Sequence, residues 1–281
     1  MEQRMITIYC LIEEFIKGVL GEEEHKLADT SDSEVLFMGY IAVSDFGGNY
    51  YKAHHYMTEM KLVNKIEYSR FTRRISQLES QIEALFVFLS ELFKRVNKSQ
   101  IYSVDSFPVE ICQIQREKRS KLWQDVSLKG YNASKKKYFY GFKVHMVVTT
   151  NQEPVSCYIS EGSVHDITAS FEFLNDLPKN AIVIGDKGYI SSRLDAFLAS
   201  FGIELSSLKR KNMPIDPNHK VKRKIRKGVE TAFSVITAKF GKVIKATSIK
   251  GFLVKLKLFI LAYSIDKFFK LSMEKQTFLF N

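Results

Sequence analysis

Ala181-Ile182-Val183-Ile184-Gly185-Asp186-Lys187-Gly188-Tyr189 is the stretch on which the reading of the whole chain turns. Four consecutive apolar residues, three of them β-branched, predict a strand covered on both faces, and Gly185 marks where the backbone leaves the sheet. Asp186 stands at that exit, between two glycines that let another backbone or a ligand come close. A carboxylate at the C-terminal end of a buried strand is where an open α/β sheet keeps its chemistry. An isolated Asp-x-Gly is more often a turn cap, so the neighbouring elements must decide.

Upstream, Ile101-Tyr102-Ser103-Val104-Asp105-Ser106-Phe107 is a β-prone run, followed by a basic, irregular segment over residues 116–137. Residues 138–150 and 154–160 read as a hairpin joined by Thr150-Asn151-Gln152-Glu153. Ser163-Val164-His165-Asp166 leads into a helix reaching about Asn175, with Asp166 as its N-cap. Downstream come a helix over 191–200, a strand over 203–208, a basic loop to Arg223 and a helix carrying Glu230. Three strands followed by alternating helices and strands predict an α/β fold: a mixed five-stranded sheet covered on both faces. Right-handed crossovers put the strand that ends in Asp186 beside the strand that contains Asp105. Glu230 borders the apolar stripe Val229, Phe233, Ile236 and Phe240, so it can face the sheet's edge. Asp125 and Glu110 are rival acids without the strand signal that surrounds Asp105.

The first hundred residues read differently. Helices are expected over 5–20, ending near Gly18 or Gly21, from the capping box Ser31-x-x-Glu34 to before Asp45, and over 50–57. Phe71, Ile75, Leu78, Ile82, Leu85, Leu89, Leu92 and Val96 then form a heptad stripe, either one long helix packed on the first three or a dimer seam. Arg70, Arg73 and Arg74 crowd its first turn, where the macrodipole disfavours cations and a phosphate would reverse the balance. Residues 1–98 are therefore expected to be a helical DNA-binding region, 99–270 a catalytic domain and 271–281 a tail.

The chain's 281 residues carry 42 Lys and Arg against 31 Asp and Glu, a formal charge of +11, which makes a polyanion the natural partner. A membrane is not expected: the richest apolar run, 252–265, is short and holds Lys255 and Lys257. No signal peptide is evident. Three widely spaced cysteines suit a reducing cytoplasm and offer no thiolate metal site. Nine Lys or Arg residues and one acid, Asp216, fall between Lys209 and Lys227. Lys209, Arg210, Lys211, Lys222, Arg223, Lys224 and Arg226 in this run, with Lys135 and Lys136 ahead of Tyr138, are candidates to follow a DNA backbone, which positions DNA without reading its sequence. Three carboxylates, no usable thiol and a basic surround point to a hard divalent ion, Mg²⁺ or Mn²⁺, held by Asp105, Asp186 and Glu230. Two such ions would activate the attacking oxygen and stabilise the leaving one in phosphodiester cleavage.

At these residues the chain resembles the DDE transposases of bacterial insertion sequences, whose catalytic domain is ribonuclease H-like. The resemblance covers residues 100–265. It rests on Val104-Asp105-Ser106, Tyr140-Gly141-Phe142-Lys143-Val144-His145, Val164-His165-Asp166, Gly185-Asp186-Lys187-Gly188-Tyr189 and Arg226-x-x-x-Glu230 followed by Phe233, all in the family's order. It implies that Asp105, Asp186 and Glu230 are the DDE triad, and that the activity is metal-dependent cleavage at transposon ends with strand transfer into target DNA. Spacings of 81 and 44 residues leave no room for the large domain that some relatives insert before the glutamate. The implied partners are double-stranded DNA, as terminal inverted repeats and as target, with a homodimer on the DNA. The implied setting is a prokaryotic cytoplasm, at the nucleoid when bound. Some relatives place a tyrosine three residues before the arginine and a lysine seven after the glutamate; Arg223 and Thr237 stand there, and Lys239 is the candidate replacement. His165 is the candidate to orient water or phosphate. Alternatives are a nuclease of the same fold that does not join ends, and a DNA-binding protein without catalysis.

Overall fold

A computed structural model describes residues 2–21, 29–119, 125–132, 136–209, 212–214, 216–240 and 244–279, with the side chains of all of these except Glu2, Arg119 and 273–279. By contacts the chain divides into residues 89–235 and a second unit formed by 1–88 with 236–281. The sequence reading drew the first boundary ten residues later and kept 236–270 with the sheet.

In residues 89–235 the sheet is organised by strand β1 (Ile101–Cys112). It runs antiparallel to β3 (Lys137–Thr149), from Tyr102 opposite Thr149 to Cys112 opposite Tyr140, and parallel to β5 (Ile182–Ile184), with Ser103 opposite Ile184. Strand β3 also pairs with β2 (Lys129–Asn132) and β4 (Pro154–Glu161), and β6 (Glu204–Leu205) extends the parallel side beyond β5. Strand β3 is buried almost continuously from Phe139 to Thr149, as a strand covered on both faces must be.

The sheet is thus mixed, as expected, with six strands where five were read. The sixth, β2, is Lys-Gly-Tyr-Asn, too short to show a period. Its fit depends on a glycine: a Cβ on Gly130 would lie 2.3 Å from the Gly162 carbonyl oxygen. Strand β1 continues five residues past Phe107, through Pro108. Its parallel partner stops at Ser103, so the rest of β1 is unpaired on that side, where a proline is tolerated. Only Glu204 and Leu205 of 203–208 join the ladder, although Ser206 and Leu208 donate to the carbonyls of Val183 and Gly185.

Helices α6 (Asp166–Phe173), α7 (Ser192–Ser200) and α8 (His219–Ala238) flank this sheet. The N-cap of α6 is His165, with Asp166 as the first helical residue. The start of α8 is four residues before Arg223, so the last third of the expected basic loop is helix. Asp216 compensates for a first turn without acids by accepting from Asn218 N and from Lys222 Nζ at 2.6 Å.

The other unit is helical: α1 (Glu2–Glu14), continued by a π-helical turn at Phe15–Val19, then α2 (Asp32–Asp45), α3 (Tyr50–Glu59), α4 (Tyr68–Gln77), the start of α5 (Glu79–Val96), and α9 (Ile249–Leu279). The capping box at Ser31 is present, with Glu34 N donating to Ser31 Oγ and Ser31 N to Glu34 Oε2. Helix α2 is buried all round from Ser33 to Val43, which marks a core helix. The heptad stripe does not form one helix: the chain turns at Leu78, between α4 and α5. No proline or glycine announces the break, and the three-four spacing runs through it unchanged. Phe71, Ile75, Leu78, Ile82, Leu85 and Leu89 are buried within the chain, so the stripe is packed and unavailable as a dimer seam; Phe93 replaces Leu92 at its end. Helix α9 takes in the apolar run and most of the expected tail. No helix among the described residues is long and apolar enough to cross a membrane. Asp266 on α9 accepts from Arg4, Tyr40 and Lys239, tying three segments to one carboxylate.

A Cβ on Gly141 would lie 2.1 Å from the Val109 carbonyl oxygen, where β1 shifts register. Gly141→Ala must therefore push two central strands apart, with an expected loss of about 1–3 kcal/mol in urea denaturation. A wild-type midpoint would refute this packing.

Candidate active site

Strand register sets the site. Ser103 lies opposite Ile184 in the parallel pair, so Asp105 and Asp186 both stand two residues beyond the last paired positions. Phe107 and Phe233 pack with ring centroids 4.5 Å apart and planes tilted by 45°, and Val229 and Ala232 are buried on the same helix, which turns the Arg226 and Glu230 side of α8 toward the strand ends. Arg226 Nη1 is 3.2 Å from Asp105 Oδ2 and 3.9 Å from Asp186 Oδ2, and its Nη2 pairs with Glu230 Oε1 one helical turn on. Three carboxylates from three elements thus meet on one guanidinium.

The Gly-Asp-Lys-Gly-Tyr motif has a local explanation. Asp186 caps the 3-10 turn Lys187–Tyr189 by accepting from Gly188 N at 2.6 Å, and a Cβ on Gly188 would come within 2.8 Å of the same oxygen. Gly185 leaves room for Tyr189, whose Cβ and Cγ would each lie 3.0 Å from a Cβ there. Tyr189 is fully buried with an unpaired hydroxyl. Burial raises its pKa, and Asp166, Asp105 and Asp186 raise it further.

Asp105 is more enclosed than Asp166, Asp186 or Glu230, with its side chain 19% exposed. Burial pushes its carboxyl up to about 7; Ser106 N–H and Arg226 pull it down, while Asp186 and Asp166 push it up. Asp166 accepts from Ser106 Oγ at 3.0 Å and Lys143 Nζ at 3.2 Å, and Lys143 also donates to the Val164 carbonyl. His145 is buried, with Nε2 bonded to Ser160 Oγ and Nδ1 3.8 Å from Asp166, and burial lowers its pKa to about 4. Sequence reasoning assigned no role to Ser106, Lys143, His145 or Tyr189, and read Asp166 only as a cap. The available signal was Lys143 and His145 at alternate positions on one face of an otherwise apolar strand.

Other candidates fall elsewhere. Lys209, Arg223 and Lys224 are exposed, and Lys222 is engaged with Asp216. Lys136 is exposed in a turn at φ 49°. Arg210, Lys211 and Lys135 lie outside the described residues. His165 is exposed and makes no cap bond, so the histidine near Asp166 that is buried is His145. Lys239 has its ammonium on Asp266. Arg70 and Arg73 are exposed on α4, whereas Arg74 donates to Thr30 O and Asp32. Of the rival acids, Asp125 caps the 3-10 turn Val126–Leu128 and Glu110 is exposed on β1.

Among the described residues no three His, Cys, Asp or Glu side chains are placed ready to hold a metal ion. Asp105, Asp186 and Glu230 nonetheless suit a hard divalent ion. Their donors are all carboxylate oxygens, they repel one another, and they already converge on a positive charge. Arg226 stands where that ion's charge would be needed, and it is partly exposed, so a side-chain rotation can free the acids.

An unfolded aspartate ionises near 3.8, so between about pH 4 and pH 7 folded Asp105 keeps a proton that the unfolded chain has lost. Its contribution to stability therefore falls as pH rises through that window and is level above it. Asp105→Asn should gain on the wild type by up to about 4 kcal/mol between those limits, read from thermal midpoints. A difference that does not change with pH would contradict the burial of this carboxyl.

A sequence profile described as Transposase DDE domain matches residues 95–244. Among curated proteins no sequence matches. Among solved structures, a piggyBac transposase synaptic complex with hairpin DNA, determined by cryo-electron microscopy, is similar at 10% identity and a TM-score of 0.48, over 92% of this chain and 71% of that one. The profile spans more than half of the sequence and includes every residue that meets at Arg226, and on that ground the chain belongs to the DDE-domain transposase family.

Proposed function

We propose that this protein cleaves phosphodiester bonds at the ends of a transposable element and transfers the freed strands into target DNA, with Asp105, Asp186 and Glu230 as its metal-holding carboxylates. The observation that carries the reading is their convergence on Arg226 from β1, the end of β5 and α8. DDE transposase domains generally use divalent metal ions; a pair of Mg²⁺ or Mn²⁺ ions, when bound here, would supply the activated attacking oxygen and the stabilised leaving oxygen.

The chain's own residues supply the surroundings. Asp105, enclosed between strands, fixes the inner edge of the site, and Asp186 is held in one orientation by its bond to Gly188. Glu230, more exposed on α8, closes the outer edge. Once released from the carboxylates, Arg226 can pair with a DNA phosphate in the bidentate geometry that guanidinium favours. Exposed Lys220, Arg223, Lys224 and Lys227 continue that positive line along the first half of α8 and would follow the backbone. Such contacts read no sequence, so recognition of the terminal repeats is assigned to the helical unit, in which Arg70 and Arg73, exposed on α4, are candidates for further phosphate contacts. Two ends handled together favour a homodimer assembled on DNA.

Incubating the purified protein with end-bearing duplex and Mg²⁺ tests the reading: nicking and joined products are expected. Nicking without joining would leave a nuclease of this fold, and neither would leave a binding protein. Asp186→Asn should keep wild-type DNA affinity while cleavage falls by at least about a hundredfold, since one ion loses a ligand. Normal cleavage by that variant would remove Asp186 from the site. Arg226→Gln takes away the cation that competes for the acids; in the absence of DNA its affinity for Mn²⁺, measured calorimetrically, should rise roughly three- to tenfold. Unchanged or weaker binding would mean that Arg226 does not hold the ion's place.

A further inference from the structure

The helical unit contains a cavity of about 970 Å³, lined by the turn before α3, the start of α4 and the segment from Lys245 into α9. Its charged lining residues are Arg73, Lys245 and Lys255, and among the described residues no acid lines it. Lys255 is the anomaly. It is 7% exposed; its Nζ donates to the Lys245 carbonyl at 2.6 Å and lies 4.1 Å from the centroid of the Tyr50 ring. Among the described residues no carboxylate pairs with it, and burial pulls its pKa down to about 8. An ammonium taken out of water without a counter-charge is costly, and a carbonyl dipole with an aromatic face offsets only part of that cost.

Tyr50, beside it, has a buried hydroxyl with no hydrogen-bond partner. Two residues that line the same cavity therefore each hold an enclosed polar group that lacks what would complete it: a negative charge for Lys255 and an acceptor for the Tyr50 hydroxyl. The helix starts agree in sign. Helices α3, α4 and α9 all begin at the cavity wall; Asn49 and Ser248 cap α3 and α9 by accepting from Lys52 N and Gly251 N, whereas Glu67, the N-cap residue of α4, makes no cap bond and accepts from Ser69 Oγ instead. Arg73, exposed where Lys255 is buried, adds a planar donor suited to phosphate.

We propose that this cavity binds a backbone phosphate of DNA, with Lys255 as the inner cation, Arg73 as the outer one, and the Tyr50 hydroxyl donating to a phosphate oxygen. The proposal rests on the reading of the chain as a DNA transposase, and it places a phosphate contact in the unit that does not contain the three catalytic carboxylates.

Binding of a labelled duplex across a range of salt concentrations tests it, comparing wild type with Arg73→Gln, Tyr50→Phe and Lys255→Met. Arg73 is exposed and Tyr50→Phe removes one oxygen, so those two keep the test decisive if the buried lysine variant folds poorly. Each is expected to weaken affinity roughly three- to tenfold irrespective of DNA sequence, and loss of either cation should lower the salt slope by about one. Wild-type affinity and slope in Arg73→Gln and Tyr50→Phe would overturn the cavity proposal and leave the transposase reading standing. Absence of DNA binding by the wild type would overturn both. Thermal stabilisation of the wild type by inorganic phosphate, without any change of DNA affinity in the variants, would make this a free-anion site and overturn the DNA assignment.

Discussion

Three carboxylates drawn together in a cleft of low dielectric repel one another unless a cation stands among them, and in this protein Arg226 is that cation. Its guanidinium reaches Asp105 and Asp186 through one nitrogen and Glu230 through the other. The geometry follows from two plain facts of the fold. Parallel pairing leaves Asp105 and Asp186 at the same level past the end of the β1–β5 ladder, and packing of Phe233 on Phe107 turns the correct face of α8 toward them. A solvated surface pair contributes little to stability. Here one guanidinium, its side chain 22% exposed, offsets the repulsion of an enclosed acid and two more exposed ones.

Around that centre the fold separates charges that must be retained from those that must be free. Asp166 is held by Ser106 and Lys143, and His145 beside it is kept neutral by burial, so this part of the site is committed to internal bonds. The two glycines flanking Asp186 serve geometry: one makes room for Tyr189 beneath the site, and the other lends its N–H to the aspartate.

The helical unit shows the same economy of charge with opposite signs. Asp266 on α9 collects Arg4, Lys239 and Tyr40, so each of those donors has an acceptor within the fold. Lys257, a few residues earlier, is equally satisfied by Glu79 and Glu83. Lys255, two residues before Lys257, has only a carbonyl and an aromatic face. That contrast, on a single helix, is what distinguishes a cation that holds the fold together from one left waiting for a partner outside it.

The sequence by itself determined the class of fold, the order of its main elements and the three acids worth watching, because apolar periodicity, turn chemistry and motif order are local properties. The capping box at Ser31, the buried strand before Asp186 and the apolar stripe beneath Glu230 were legible for that reason. Tertiary structure alone decided what depends on partners distant in the chain. Strand β2 exists because Gly130 fits against Gly162; β1 can pass through Pro108 because its parallel neighbour has ended; α4 and α5 divide at Leu78 without any breaker residue. The same holds in the site, where Asp166 was legible as a helix start but not as an acceptor for Ser106 and Lys143. Arg226 could be read as a phosphate ligand, but its place among the carboxylates appears only once α8 lies on the sheet, since electrostatic repulsion between residues 81 and 44 positions apart leaves no mark on the local sequence.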